Sequence, residues 1–510
     1  MHNRKLQVIE DVKDFFNKKE RFPTSKEVQE VIGLPRRTMR RMFDDYTTLI
    51  EAALDTLDEK IFTEQRVEAV KKDIKRNKTF VITTAVVGAP VFKEALNAIN
   101  NSFCKHNKAK LLVIPCADPA ANVSDGLDPI LLEESLVVEN VDLNDNLAIY
   151  AIRLSAKQIN PTTGLGRIGQ RNRSFIFASP KQSLEYVPVA NNKMPHALMT
   201  TGAITLPAYQ TNNYMSQRTA FIADHDHIMG AIIVELVGKD RYHFRHVEFA
   251  KDGSFIDLGT KYHPNGKKSK TSILGMVLGD WHCGHTDPTV AKTTYEMIKE
   301  LKPEQVILHD TFNGTSVNHH LEFRNITKSK IGITALSDEL LLLRSDLEKF
   351  ASMTGKVVVV ASNHDYWLER YLEEGRFIKD PLNYRISLDL AIACHDGANP
   401  VEAGINLKKD KIKNLKFLKR DEDYLIKDIQ CGAHGDLEAG VIRLEKSFGK
   451  SITGHCHTGG KFRRVTRVGT STPLREDYAK GPISWTHTHA IINEDGTVQL
   501  INIIEGEWKQ

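Results

Sequence analysis

No two of the six cysteines, Cys104, Cys116, Cys283, Cys394, Cys431 and Cys456, stand at C-x-x-C spacing. That absence excludes a zinc knuckle and argues against a disulfide framework, so a reducing compartment is expected. The chain also lacks any run of about 18 apolar residues, the length a membrane-crossing helix needs. No basic, apolar, small-residue pattern opens it, which predicts an unexported, cytoplasmic protein with no membrane partner. An excess of one charge is missing too: the formal net charge is +4 with 26% charged residues. Neither a polycation nor a solvating acidic tail fits, and any nucleic-acid contact must come from local basic clusters. No internal repeat or low-complexity tract is evident. The 510 residues exceed what one ordinary core organises, so two to four domains are expected.

Residues 1–76 read as helical. Leu6, Ile9, Val12, Phe15 and Phe16 fall on one stripe at helical spacing. Thr24 followed by Glu27 forms a capping box, Gly33 ends that short helix, and Pro35 suits the first turn of the next. Two short helices about a glycine turn resemble a helix-turn-helix module. The second presents Arg36, Arg37, Arg40 and Arg41, with Met39, Met42 and Phe43 left for a core. Residues 1–78 carry a net charge of only +3, so either a solvated arginine face or a phosphate grip is consistent.

Residues 77–270 read as a mixed α/β domain, of use in DNA binding or assembly. Inside it "GLGRIGQRNRS" matches the dinucleotide fingerprint, but Pro161 and two threonines precede it where a strand is needed, and "SFIFA" follows as a strand. A cofactor reading is rejected. Arg167, Arg171 and Arg173 of this loop are instead candidates for phosphate contact, beside the alternative of a solvated loop. "DHDH", Asp224 to His227, reads as a polar turn. The basic, turn-rich "PNGKKSK", Pro264 to Lys270, marks a boundary.

From residue 271 to 510, an apolar strand runs five times directly into a loop bearing Asp, Asn or His. "SILGMVLGDWHCGH" ends in Asp280 and His282, "EQVILHDTFNG" in Asp310 with Asn313 beyond it, and "KVVVVASNHD" in Asn363, His364 and Asp365. "YLIKDIQCGAHGD" gives His434, and "SITGHCHTGG" gives His455 and His457. Strands of one sheet system pointing one way would bring these loops together at one edge. A site of that composition offers about seven donors, enough for two divalent cations to act on a phosphoryl group.

The order D-x-H, D-x-x-N, N-H-D, a lone His and G-H-x-H resembles the calcineurin-like metallophosphoesterase superfamily, over about half of the chain. His309 and Ser362 stand where that family usually has glycine. The resemblance implies a C-terminal αββα two-sheet sandwich. It also implies two metal ions, with Mn2+ expected and Mg2+, Zn2+, Fe or Co as alternatives. By the same resemblance Asp280, His282 and His457 hold the first ion, Asp310 bridges, and Asn363, His434 and His455 hold the second. A bridging hydroxide is then the nucleophile, His364 the general acid, and Asp365 the group that orients it. Asn313 is the best-placed substrate contact, with His285, His319 and His320 also near. Cys283 and Cys456 read as fillers beside ligands, and the rival pair His487 and His489 as structural.

The tail also resembles the closing hairpins of phosphoesterases of tailed bacteriophages, and the whole chain is similar to an early phage nuclease that degrades host DNA. The arginine helix, the Gly/Arg loop and "KFRRVTRVG" after the last metal motif place basic residues in all three segments, and DNA is the partner that unites them. The expectation is a metal-dependent deoxyribonuclease of the host-cell cytoplasm. A phosphatase or phosphodiesterase acting on small molecules or phosphoproteins is the alternative. A homo-oligomer is compatible with the chain's 57.5 kDa, but no heptad or apolar seam argues for one.

Overall fold

The computed structural model describes residues 2–19, 23–43, 46–117, 126–169, 173–190, 195–209, 214–318, 335–420, 422–435, 440–475 and 481–509. Four helices open it: α1 (His2–Lys19), α2 (Ser25–Glu30), α3 (Arg36–Phe43) and α4 (Tyr46–Arg76). The expected capping box is present. The Glu27 amide donates to Thr24 Oγ1 at 3.3 Å, and the Thr24 amide to Glu27 Oε2 at 2.7 Å. Gly33 takes a φ of 70°, a left-handed turn that glycine reaches without strain. Val8, Val12, Val28, Leu34, Met39, Phe43 and Leu49 close a small core between these helices. Val70, near the end of α4, packs instead into the core of the sheets that follow.

The rest is mixed α/β. A five-stranded sheet orders 241–248, 230–237, 79–86, 109–116 and 135–136, its last three strands parallel. A six-stranded sheet orders 415–417, 356–359, 305–308, 273–277, 488–493 and 498–502. Its first four strands are parallel and joined through helices, as parallel pairing requires. Alternation along these strands divides the side chains. Val277, Ile307 and Val358 enter a core shared with the third sheet. Met276, Val306, Leu308, Val357 and Val359 enter a second core under the helices Pro288–Leu301, Leu336–Met353 and Asn363–Glu373.

The third sheet corrects the domain boundary expected at residue 270. Ten strands run continuously from 425–426 through 460–462 into 182–187 and on to 141–144. The junction is a backbone ladder in which Lys461 faces Leu184 and Phe462 faces Ser183. The segments 77–270 and 271–510 thus share one sheet and one core, and the turn-rich "PNGKKSK" is only a hairpin with its third strand at Lys268–Lys270. Turn composition reports a local reversal, and it carries no information on which strands pair across it. Among the described residues no helix is long and apolar enough to cross a membrane.

Candidate metal centre

The parallel strands 273–277, 305–308 and 356–359 end side by side, and strands 429–430 and 451–453 of the ten-stranded sheet, also parallel to each other, end opposite them. The five loops meet. One ligand atom each from Asp280, His282 and His457 lie within 4.8 Å of one another, as do those of Asp310, His434 and His455. His455 and His457, one residue apart, are therefore divided between the two groups.

The donor spacings are tight. His282 Nε2 and His457 Nε2 are 3.1 Å apart, and His457 Nε2 lies 3.5 Å from Asp280 Oδ2. In the second group His434 Nε2 is 3.1 Å from His455 Nδ1, 3.5 Å from Asp310 Oδ1 and 3.0 Å from Asn363 Oδ1. Donors sharing one cation at about 2.1 Å stand roughly 3.0–3.4 Å from each other, so these separations fit a divalent ion in each group. Orphaned polar atoms make the same point. Asp280 Oδ2 and both carboxylate oxygens of Asp310 are buried without a hydrogen-bond partner among the described residues. A buried carboxylate in that condition is costly unless a cation compensates it.

Electrostatics agree with that need. Burial, and then the charge of Asp310, push the Asp280 carboxyl well above the usual carboxylate range. Asp310 is opposed by its own burial, yet His434 and His455 hold it well below that range. Burial lowers His282 and His434 and brings His457 down to about 4, keeping these imidazoles neutral, the form that ligates a metal. Asp310 acts on His282 and His457 as well as on His434, so it stands electrostatically between the two groups.

The backbone is strained where the donors sit. His282, Asp310, His455 and His457 have φ of 45°, 43°, 75° and 57°, in the left-handed region that side chains rarely adopt. Gly454 allows the close approach: a Cβ there would stand 2.4 Å from Asp280 Oδ1 and 2.9 Å from His309.

One expected role changes. Asp365 does not orient His364. Its carboxylate receives the Ser362 amide at 2.9 Å in a capping box, with the Asp365 amide directed at Ser362 Oγ, so it fixes the start of helix Asn363–Glu373. Asn313 is the orienter instead: His364 Nδ1 donates to its main-chain oxygen at 2.7 Å. The Asn313 side chain is engaged too, Oδ1 with His282 Nδ1 at 3.0 Å and Nδ2 with Thr315 Oγ1 at 2.6 Å, which leaves the second Nδ2 hydrogen of this partly exposed residue for substrate. Arg173 is partly exposed and pairs with Asp142 at 2.6 Å, while Arg167 is exposed. Arg171, His319 and His320 lie outside the described residues.

Two of the four basic residues of "KFRRVTRVG" are spent inside the protein, while Arg464 is exposed. Lys461 pairs with Glu248 at 2.9 Å, and Arg463 with Asp226 at 2.5 Å and with Glu445. "DHDH" is structural, though not the expected polar turn: Asp224, His225 and Asp226 close the helix Tyr214–Asp226, and His227 after it is fixed between Tyr209 and the Thr205 carbonyl. So is the rival H-x-H, since buried His489 accepts the Gly279 amide at 2.9 Å and His487 bonds the Thr472 carbonyl. On α3, Arg36, Arg37, Arg40 and Arg41 are all exposed over buried Met39 and Phe43.

Aromatic neighbours of the site went unread in the sequence. Trp367 packs on His364 with ring centres 4.0 Å apart, and Trp485 meets His457 edge-on at 4.4 Å. The position of Trp367 three residues after His364 on a helix was the available signal. His309, where glycine was expected, is fully buried and lies 6.0 Å from His434, ring to ring.

The chain is 29% identical over 358 residues to Protein A1 of Escherichia phage T5. The match covers 66% of this chain and 64% of that protein, so it spans less than two thirds of the relative's length. No protein-family profile matches the chain. No solved structure matches it either.

Proposed function

We propose that the chain is a metal-dependent DNA phosphodiesterase of the calcineurin-like type. The observation that carries this reading is the pair of Asp/His groups with Asp310 acting on both, at the convergent ends of five strands. The packing of the six-stranded sheet on part of the ten-stranded sheet, with helices on the outer face, supports the αββα class. Four imidazole nitrogens among the donors favour Mn2+, Zn2+, Fe or Co over Mg2+, with Mn2+ first. Divalent ions bound there supply Lewis-acid charge for a phosphoryl group and acidify water.

The residues of the chain do the remainder. Neutral His282, His434 and His457 and ionised Asp310 present lone pairs to the cations. Asn313 fixes the tautomer of His282 by accepting from Nδ1, which turns Nε2 into the site. A carbonyl oxygen only accepts, so His364 carries hydrogen on Nδ1, and Nε2 is the atom that gains or gives up a proton. In its protonated form that atom can supply the proton that the departing deoxyribose oxygen requires. Contact with DNA is supported by the exposed arginines of α3. The phage relative supports a setting in the cytoplasm of an infected host cell.

The test is EDTA-stripped protein assayed on plasmid and single-stranded DNA with and without Mn2+, beside His364→Ala, at low and moderate salt. Cutting restored by metal, lost in the variant and suppressed by salt is expected. Intact DNA under all conditions, with an aryl phosphomonoester hydrolysed, would replace the nuclease by a phosphatase.

A further inference from the structure

His309 precedes Asp310 where the metallophosphoesterase pattern has glycine, and it puts a fully buried imidazole where that pattern has no side chain. Neither ring nitrogen has a hydrogen-bond partner among the described residues. As packing alone such a ring is a poor choice, since an apolar side chain would fill the same space without two desolvated polar atoms. Burial lowers His309 to about 3, so the ring is neutral, with one N–H and one lone pair to place.

A group that could use that lone pair lies alongside. His434 turns Nε2 to the second donor group, 3.0 Å from Asn363 Oδ1 and 3.1 Å from His455 Nδ1. For Nε2 to offer a lone pair to a cation, the hydrogen of the neutral ring must sit on Nδ1. That Nδ1 is buried, and it too has no partner among the described residues. A metal-bound imidazole normally donates its second N–H to an acceptor or a water, which fixes the ring and raises its basicity. The rings of His309 and His434 are nearly parallel, 23° apart in plane, with centres 6.0 Å apart. Their nitrogens make no direct bond, and the gap suits one water, which joins groups roughly 4.5–5.5 Å apart through two bonds of ordinary length. A third orphan, the buried Thr453 Oγ1, belongs to the residue before Gly454, where a Cβ would come within 2.9 Å of the His309 Cγ. A buried water keeps about two to four polar partners, and these three groups offer that many.

We propose that His309 is the outer partner of the metal donor His434: a single buried water accepts from His434 Nδ1–H and donates to a ring nitrogen of His309. His309 is thus a positioning residue for the second cation. The inference rests on the two-metal reading of the site.

The experiment titrates the metal-free chain with Mn2+ by calorimetry for wild type, His309→Phe, His309→Leu, His309→Gln, His434→Ala and the double variant His434→Ala with His309→Leu. Electron paramagnetic resonance at two equivalents of Mn2+ reads the coupled ion pair without reference to activity. Tm without metal checks folding, and there the apolar variants should match or exceed wild type. Wild type should bind two ions. Phe and Leu keep the space filled and lose the nitrogens, so one binding step should weaken about 10–100-fold while the other stays at wild-type affinity. His309→Gln keeps an acceptor and should recover most of that loss. In the His434→Ala background the leucine change should cost nothing further, because the group it serves is gone. Apolar variants that bind both ions as wild type does would make His309 a packing residue and overturn the proposal. Equal weakening of both steps, or a loss that persists undiminished in the His434→Ala background, would overturn it as well. Wild type that binds fewer than two ions overturns the two-metal reading, and the proposal with it.

Discussion

Asn313 holds His364 by its main-chain oxygen, 2.7 Å from Nδ1, while the Oδ1 of the same residue stands 3.0 Å from Nδ1 of His282. One residue therefore sets the tautomer of a metal donor and of the proposed acid. Asn313→Ala should weaken Mn2+ binding about 10–100-fold, the usual effect of losing such an outer partner. It leaves the carbonyl in place, so at saturating metal the variant should retain most of its kcat. Metal titration by calorimetry with parallel kinetics checks this, and unchanged affinity would contradict the role.

His364→Ala should reduce kcat on DNA by roughly 10²–10⁴, the range for loss of a general acid, with metal content unaltered. On a diester with a 4-nitrophenol leaving group, which departs without a proton, the loss should shrink to less than tenfold. Metal analysis by mass spectrometry beside both rate measurements separates acid catalysis from collapse of the site.

Metal should be a structural partner as well. The left-handed backbone at His282, Asp310, His455 and His457 costs about 1 kcal/mol or more per residue, and two buried carboxylates add to it. Mn2+ at 100 times its Kd stabilises by about 2.7 kcal/mol, so Tm should rise by several degrees over the EDTA form. Asp280→Asn relieves a buried charge beside Asp310. In EDTA it should match or exceed wild type in Tm, and with Mn2+ its stabilisation should be smaller. Differential scanning fluorimetry reads both signs.

Acid sensitivity should come partly from buried histidines that are not metal donors. Burial lowers His489 to about 3, and His246, bonded to the Thr200 carbonyl, also to about 3. Unfolded histidine titrates near 6.5, so above that pH neither state binds the proton and the stability these groups supply is complete. Between about 6.5 and 3 only the unfolded chain takes it up, and stability falls by about 1.4 kcal/mol per pH unit for each imidazole. Urea unfolding at pH 7, 5.5 and 4.5 measures the slope, and His489→Gln should flatten it by one proton.

Arg40→Glu with Arg41→Glu should weaken DNA binding and lower the salt slope by about 2, while leaving hydrolysis of bis(4-nitrophenyl) phosphate untouched. Fluorescence anisotropy on duplex DNA checks the affinity. An unaltered slope would make α3 a solvated face.

The donor set was legible because each member directly follows an apolar strand, and a strand-to-loop boundary is a local property of sequence. Thr24 with Glu27 and the exposed arginines of α3 were legible for the same reason, since capping and helical faces depend on residues three or four apart. Asp365 misled because an acid two residues after Asn363 serves equally to cap a helix or to orient a neighbour. Only the placement of Asn313 against His364, 51 residues away, decides which. Charge misled too: Arg463 looks available in the chain and is held by Asp226 and Glu445.

The sequence by itself determined which atoms can meet a metal, because strand, turn and donor are written within ten residues of one another. Tertiary structure decided how they are used. It divided His455 from His457, joined Phe462 to Ser183 across the expected boundary, and set the His309 ring against His434. Those relations link residues tens to hundreds of positions apart, and they are fixed by sheet pairing and core packing, which no local spacing encodes.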